Sequence, residues 1–490
     1  MTATPDLGPP KVGPPKVGLP PDGLPQEGLP QDGLPQDGLP NPRRIWALIS
    51  ISLGTILVVL DNGMLNVALP AIARDLAIPP AQAIWLVSAY QLGLIAALLT
   101  AASLGEILGY KRIFLTGATI FGIGAAASTF QTEIIPLALC RVVQGIGASG
   151  TLGVTNALLR FTYPRAKLGV AVGLNSMLGT CAMIAGPSLS AVVLEIAPWP
   201  AIFAINVPMA AITITMGIFA LPNPPRTARS FDTLSALLNA ATCALGLLAL
   251  DSIAHKSPIP TIALQAAAAI GLGYFLVRRQ RGRTAPLLPV DLLRIPVLSL
   301  SVGTSLCYFI AAMSLLVGTP FLLVQGLHLS QMDTGIAMTP AAIAIAILGP
   351  IAGRLADRYS AAILCSVGMA ITALGLATLI LIPDAPSLPN ILWRIGICGI
   401  GFGITIVPNH RTMVASAPPD RSGGASGLLA MSRVTGQSIG TVLVAICFGL
   451  FSATNAPTAS LLIGIAASCL GIFLSLGRTS FMPTRATKPR

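Results

Sequence analysis

Apolar residues along the chain form long runs that short polar segments separate. Each run holds about twenty residues or more, the length that an α-helix needs to cross the hydrocarbon core of a bilayer. Charged residues, prolines and turn clusters bound the runs. The predicted spans are 45–69, 83–106, 113–131, 134–159, 168–195, 199–221, 233–251, 260–277, 297–324, 334–353, 361–382, 390–407, 424–451 and 458–477. The pattern therefore predicts an all-α polytopic membrane protein with fourteen transmembrane helices.

The composition excludes a soluble protein. Apolar residues make up 54% of the 490 residues and charged residues only 9%, whereas a soluble domain carries roughly 25% charged residues. The eight cysteines lie in or beside apolar runs without metal-ligand spacing, and only three histidines are present. We therefore expect neither a disulfide scaffold nor a metal site. The sequence contains no Walker A motif, so we expect no ATP and no other cofactor.

The net charge of +12 is explained by membrane topology. If the N-terminus faces the cytoplasm, the inner segments hold 24 of the 29 lysines and arginines, and the outer segments hold three. Basic residues concentrate in the cytoplasmic loops of membrane proteins. We therefore expect both termini in the cytoplasm, a location in the cell (inner or plasma) membrane, and no nucleic-acid partner.

The N-terminal 44 residues form a separate tail. Residues 11–40 repeat a pentapeptide with proline and glycine in every unit and too few apolar residues to form a core. Such a composition predicts a disordered tail. The tail lacks the basic and apolar regions of a secretory signal, so the run that begins at Ile45 is interpreted as an uncleaved first span.

One carboxylate lies well inside a predicted span. Asp61 stands in the first span, with Asn62 and Asn66 beside it. Ionisable groups at membrane depth are costly and are candidate functional residues by default. Asp61 can take up and release a proton there, as a proton-coupled exchanger requires. The alternative is a structural group that hydrogen-bonds a neighbouring helix.

Two arginines also fall within spans. Arg141 lies in the fourth span and is followed one turn later by Gln144. The thirteenth span contains a similar pair, Arg433 and Gln437, four residues apart. Arginine keeps its charge, so Arg141 must face a carboxylate, carbonyl groups or a water-filled cavity. It can then control the protonation of a nearby acid; the alternative is a purely structural arginine. The candidates for the substrate cavity are Asn62, Asn66, Gln91, Gln144, Arg433 and Gln437.

A glycine series in the fourth span shows how a motif can mislead. Gly145, Gly147 and Gly150 fit the GxGxxG pattern of dinucleotide sites, but that pattern requires a preceding strand. In a membrane helix, small residues at such spacing let neighbouring helices approach closely. We therefore interpret the series as a helix-packing surface.

Together these features resemble the fourteen-helix drug:proton antiporter branch of the major facilitator superfamily, over residues 45 to 477. In the first helix, residues 61–70 are similar to its aspartate and N-V-A-L-P signature, and Arg141, Gln144 and Gly145 are similar to its fourth-helix R-x-x-Q-G motif. The fifth-helix antiporter motif matches at Gly173, Gly186 and Pro187. The sixth-helix signature matches at Trp199, Phe203, Asn206, Val207 and Pro208, with Pro200 in place of an arginine.

Two loops resemble the gating motif of the superfamily. The residues that carry this resemblance are Glu106, Gly109, Lys111 and Arg112 after the second span, and Gly353, Arg354, Asp357 and Arg358 after the tenth. An acid facing basic residues there implies a conformational latch on the cytoplasmic side. In a chain of two six-helix halves with two helices inserted between them, the loop equivalent to the one after span two lies after span ten. The second copy lies there, so the repeat supports fourteen spans independently of hydropathy.

The resemblance implies a major facilitator fold with two six-helix halves, residues 45–221 and 297–477. Two extra helices and linkers occupy residues 222–296, and residues 478–490 form a cytoplasmic tail. The implied function is proton-coupled export of lipophilic, cationic drugs or toxic compounds by alternating access, with Asp61 and Arg141 in proton coupling.

The alternatives are an exporter of one metabolite or siderophore and, less favoured, a non-transporting membrane sensor; no enzyme is expected. The expected partners are a small-molecule substrate, protons and the lipid bilayer, without an obligatory protein partner.

Overall fold

The computed structural model is all-helical in the residues that it describes. These are residues 38–164, 168–224, 231–254, 257–280, 292–356, 358–383, 386–416, 422–452 and 454–481. Most of the N-terminal repeat, Asp357 and the C-terminal residues 482–490 lie outside this set. The predictions made for them are therefore not addressed by the structure.

The first half of the chain forms helices close to the predicted spans. They are α1 (Arg43–Asp75), α2 (Pro80–Leu108), α3 (Tyr110–Thr129), α4 (Ile134–Thr162), α5 (Leu168–Ile196), α6 (Pro200–Ala204) and α7 (Asn206–Ala220). The sixth predicted span is thus two helices that meet at Ile205. Helix α1 continues through Pro70 to Asp75, six residues beyond the predicted end of that span.

Two further helices precede the second half. They are α8 (Thr233–Ala254) and α9 (Ile259–Gln280). The second half contains α10 (Pro296–Met313), α11 (Thr319–Phe321), α12 (Gln331–Leu355), α13 (Ala361–Ile380), α14 (Leu388–Ala415), α15 (Ser422–Leu450) and α16 (Ala456–Gly477). Two π-helical turns, Ser314–Gly318 and Leu322–Gly326, flank α11. The ninth predicted span is therefore continuous but irregular.

Eleven helices in the described part of the chain are long and apolar enough to cross a membrane. Helices α5 and α8 contribute shorter apolar stretches, Cys181–Ile196 and Thr233–Ala249. Length and composition therefore establish a multi-pass membrane protein. The count of fourteen spans and the sides of the termini stay predictions.

The helices of the two halves pair in the same order. In the first half α1 packs on α5 and α7, and α4 packs on α2 and α3. In the second half α10 packs on α15 and α16, and α14 packs on α12 and α13. The repeated loop motif in the sequence is thus matched by a repeated packing pattern.

Glycines at equivalent positions of α4 and α14 allow the closest contacts between neighbouring helices. A Cβ added at Gly145 of α4 would lie 2.1 Å from the carbonyl oxygen of Tyr90 in α2, and one at Gly399 of α14 would lie 2.3 Å from Ala341 in α12. Any side chain there would push the helices apart. Gly145 of the GxGxxG series therefore packs helices, as predicted, within an all-helical surrounding.

One large apolar cluster joins the halves at a single end of the bundle. It contains Leu65 and Leu69 of α1 and Phe203 of α6 from the first half, and Phe321 of α11 and Phe448 of α15 from the second. At the opposite end, the apolar cluster around the start of α1 comes from the first half alone. The cluster that includes the start of α10 comes from residues 292–429 alone. The halves are therefore sealed together at the end where α1 finishes.

Helix α8 bridges the two halves. It packs on α9, on α2 of the first half and on α15 of the second. Asn239 of α8 donates a hydrogen bond to the carbonyl oxygen of Ala96 in α2, at 3.2 Å. An ion pair of 3.2 Å between Asp232 and Arg279 joins the start of α8 to the end of α9. The inserted hairpin thus lies along the α2–α15 boundary.

Candidate functional site

Asp61 and Arg141 form a buried ion pair within the first half. The Nη1 atom of Arg141 in α4 donates to the Oδ2 atom of Asp61 in α1, at 2.7 Å, and both side chains are completely buried. Asn206, at the start of α7, donates from Nδ2 to the other carboxylate oxygen, Oδ1, also at 2.7 Å. A single carboxylate therefore ties three helices together.

Arg141 is enclosed by groups of several kinds. Its Nη1 atom also donates to Oε1 of Gln144, at 2.8 Å. Its guanidinium carbon lies 4.4 Å from the centre of the Tyr90 ring and 5.7 Å from that of Phe203. Aromatic faces attract cations, so these rings compensate part of the cost of burying the charge. Phe203 also belongs to the apolar cluster that seals the halves, so the ion pair lies directly against the seal.

Several buried polar atoms near the ion pair have no hydrogen-bond partner among the described residues. They are Oδ1 of Asn66, Oη of Tyr90, both amide atoms of Gln91, Nη2 of Arg141, Nε2 of Gln144 and Oδ1 of Asn206. Buried polar groups are normally satisfied in folded proteins. Free donors and acceptors on Arg141, Gln144 and Asn206, which hydrogen-bond within the ion-pair network, are therefore typical of a site that binds water, protons or a ligand.

The predicted cavity residues fall into two groups. Gln144 contacts the ion pair directly, and Asn66 and Gln91 are buried on α1 and α2 in the same half. Asn62 is partly buried on α1, and Arg433 and Gln437 are partly buried on α15 in the other half. The structure thus places all six within the bundle, and it brings only Gln144 into hydrogen-bonding contact with Arg141.

The fifth-helix motif lies where α5 crosses α1. A Cβ added at Gly186 would lie 2.9 Å from the Cα atom of Gly63, two residues after Asp61. The side chain of Pro187 is also near Gly63, and Gly173 lies earlier on α5. The motif therefore allows close contact beside the ion pair; its role in coupling stays a prediction.

The first gating loop shows no latch between its own acid and bases. Glu106 and Arg112 are exposed, and among the described residues neither takes part in an ion pair. Gly109 ends α2 with a φ of +104°, a conformation that favours glycine. Lys111 donates from Nζ to the carbonyl oxygen of Ile218, at 2.6 Å, and so covers the C-terminal end of α7.

The second gating loop contacts a neighbouring helix. The carbonyl oxygen of buried Gly353 accepts a hydrogen bond from Arg411 of α14. Arg354 and Arg358 are exposed, and Asp357 lies outside the described residues. The latch therefore remains a prediction for both loops.

Sequence reasoning missed two residues and misplaced a third. Asn206 was noted only as part of a signature, and Tyr90 was not singled out, because neither carries a charge. Arg478 counted as a cytoplasmic loop residue, yet its side chain is completely buried. Its Nη1 atom donates to Asn409 at 2.8 Å and to Ser301 at 3.1 Å.

The chain matches a family model, Major Facilitator Superfamily, over residues 51–441. It is 40% identical to the uncharacterized transporter YebQ of Escherichia coli, across 88% of this chain and 95% of that protein. It is 30% identical to the riboflavin transporter RibZ of Clostridioides difficile, across 80% and 86%. It is 29% identical to the multidrug resistance protein Stp of Mycobacterium tuberculosis, across 85% and 78%.

A solved structure shares the fold. The chain superposes with a TM-score of 0.63 on a bacterial homologue of the human lysosomal transporter Spinster, in an inward-facing and unoccupied conformation. The match covers 91% of this chain and all of that one, at 17% identity. Identity at this level establishes the arrangement of helices alone.

Proposed function

The chain belongs to the major facilitator superfamily, and from that premise we propose that it exports lipophilic compounds by proton-coupled alternating access. It is a transporter of small molecules and not an enzyme. Its relatives include the multidrug resistance protein Stp and a tetracenomycin C resistance and export protein. These names favour the drug:proton antiporter branch. The proposal includes fourteen spans and a cell-membrane location with both termini in the cytoplasm.

The buried ion pair is the observation that carries the proton-coupling proposal. When Asp61 is ionised, it holds Arg141 and Asn206 at 2.7 Å each. Protonation removes the negative charge and leaves Arg141 buried without a counter-ion, which is costly. The protonation state of Asp61 is thereby linked to the packing of α1, α4 and α7, and a proton can drive their rearrangement.

The seal between the halves supports alternating access. The largest of the clusters that join them lies at the end of the bundle where α1 finishes, next to Phe203 and the ion pair. With the N-terminus in the cytoplasm, that end is the outer side and the opposite end opens inward. A change at Asp61 is therefore transmitted through Phe203 to the contact that must break when the transporter opens outward.

The driving force sets a limit on this exchange. One pH unit stores about 1.4 kcal/mol, and each elementary charge that crosses 100 mV adds about 2.3 kcal/mol. Exchange of one proton for one monovalent cation draws on the pH gradient alone. A neutral or anionic substrate draws on both terms.

The second candidate is export of one specific compound on the same scaffold. The relatives include a riboflavin transporter as well as multidrug proteins, and one fold hosts many substrates. A specific exporter would move one compound class and ignore unrelated dyes. A non-transporting sensor, the third reading, would move none.

Dye transport in inverted membrane vesicles tests the proposal. We expect wild-type vesicles to accumulate lipophilic dyes when energised and to lose this activity with a protonophore. Asp61→Asn keeps the shape of the side chain and removes its proton chemistry, so it should abolish the response to the pH gradient. Glu133→Gln is the matched control, since it removes an exposed carboxylate outside the ion pair.

Two results would contradict the proposal. If Asp61→Asn transports and responds to the pH gradient like wild type, Asp61 does not couple proton movement to transport. If the vesicles transport only one compound from a panel of unrelated lipophilic compounds, the protein is a specific exporter and not a multidrug exporter.

A further inference from the structure

Arg433 is a partly buried cation without a counter-ion among the described residues. It lies on α15 and is partly buried, and its Nε atom is completely buried without a hydrogen-bond partner. The ion pairs in the described ranges join Asp61 to Arg141 and Asp232 to Arg279. Arginine cannot lose its proton in a protein, so its positive charge persists inside the bundle.

The neighbours of Arg433 come from both halves and carry no negative charge. Val434, the next residue, packs in one apolar cluster with Tyr90 and Leu94 of α2. The Tyr90 hydroxyl is buried without a partner. Helix α15 packs directly on α2, so this contact between the halves carries both a cation and a free hydroxyl donor.

Asp61 does not offset this charge. Its two oxygens already accept from Arg141 and Asn206 at 2.7 Å. The pair of Asp61 and Arg141 is neutral as a whole, so Arg433 adds one uncompensated positive charge. A cationic substrate would meet no free carboxylate at Arg433 and would be repelled by it.

We propose that Arg433 and Tyr90 bind an anionic group, a carboxylate or sulfonate, on the exported lipophilic compound. The planar guanidinium of arginine can donate two parallel N–H hydrogen bonds to the two oxygens of such a group. The Tyr90 hydroxyl supplies a further donor, and Leu94 with its apolar neighbours contacts the lipophilic body. This inference rests on the proposed transport function and replaces the cationic preference implied by the family resemblance.

A pair of xanthene dyes that differ in charge tests the inference. Binding of anionic fluorescein and cationic rhodamine 123 to the purified full-length protein is measured by fluorescence anisotropy at constant ionic strength. We expect wild type to bind fluorescein more tightly than rhodamine 123. In Arg433→Gln, fluorescein affinity should fall about tenfold, the loss of one charge-assisted hydrogen-bonded contact, while rhodamine 123 affinity stays equal or rises.

Three further variants separate charge from shape. Arg433→Lys keeps the charge and should retain part of the fluorescein affinity. Tyr90→Phe keeps the ring against Arg141 and removes only the hydroxyl, so it should weaken fluorescein binding less than Arg433→Gln. Arg74→Gln removes an exposed arginine outside the gating motifs and should bind both dyes like wild type. Thermal unfolding of each variant checks that the fold persists.

The outcomes distinguish this inference from the transport proposal. If Arg433→Gln binds fluorescein as wild type does, or if wild type prefers rhodamine 123, the anion site is wrong. Rhodamine 123 transport that responds to a protonophore would then leave the transport proposal standing. If fluorescein transport depends on Arg433 but ignores the protonophore and Asp61→Asn, the anion site is supported and proton coupling is wrong.

Discussion

Removing either member of the buried ion pair should destabilise the protein more than removing both. Asp61→Asn leaves the guanidinium of Arg141 buried without a carboxylate, and Arg141→Gln leaves the carboxylate of Asp61 with Asn206 as its remaining described donor. The double variant Asp61→Asn/Arg141→Gln buries two amides that can hydrogen-bond to each other. The prediction is therefore a large, favourable coupling energy between the two positions.

The magnitude follows from the distance. Two unit charges 2.7 Å apart attract by about 6 kcal/mol at an effective dielectric constant of about 20. The desolvation of both ions offsets much of this attraction, so the intact pair contributes little net stability. Loss of one partner costs about 3–5 kcal/mol, because the other charge stays buried without its counter-ion. The double variant should lose less than either single variant, which gives a coupling energy above about 3 kcal/mol.

Reversible unfolding in mixed detergent micelles measures these free energies. The control cycle combines Glu133→Gln with Arg112→Gln, two exposed charges whose effects should add within about 0.5 kcal/mol. If the effects at Asp61 and Arg141 also add within that limit, the two side chains do not form the pair. Single-variant losses below about 1 kcal/mol would likewise refute the burial argument.

Three other predictions concern contacts around and beyond the ion pair. Gly186→Ala forces α5 away from α1 and should cost about 1–3 kcal/mol of unfolding free energy together with transport, whereas Gly271→Ala, which has open space, should preserve both. Asn206→Ala removes a donor to Asp61 and should cost about 1–3 kcal/mol, measured by the same unfolding assay. Arg478→Gln breaks hydrogen bonds to three buried side chains and should lower the thermal unfolding temperature without changing dye affinity.

The helices were predictable because hydropathy alone defines a membrane span. Their ends were not, since local rules compete there with packing. Helix α1 passes through Pro70, which hydropathy and turn rules take as an end; prolines are tolerated in membrane helices because neighbouring groups satisfy the freed backbone carbonyl. The break at Ile205 and the π-helical turns around α11 leave no trace in the apolar pattern.

The two key charges of the site were predictable because an ionisable residue in an apolar run is exceptional. Their contact was not, because 80 residues separate Asp61 from Arg141 and only the packing of α1 beside α4 brings them together. Asn206 and Tyr90 were harder to predict, since neutral polar side chains are common in membrane helices. Arg478 was misplaced because counting basic residues assigns every arginine at a helix end to the adjacent loop.

The repeated scaffold carries different chemistry in its two halves. In the first half the buried arginine, Arg141, is neutralised by Asp61, the pair to which we assign proton coupling. In the second half Arg433 has no carboxylate among the described residues, so its charge is available to a ligand. Tyr90 connects the two, because its ring lies 4.4 Å from the guanidinium carbon of Arg141 and packs in one apolar cluster with Val434, the residue next to Arg433. A ligand at the proposed site of Arg433 and Tyr90 would therefore contact the residue that packs on the buried ion pair, and this contact would rearrange when the halves move apart.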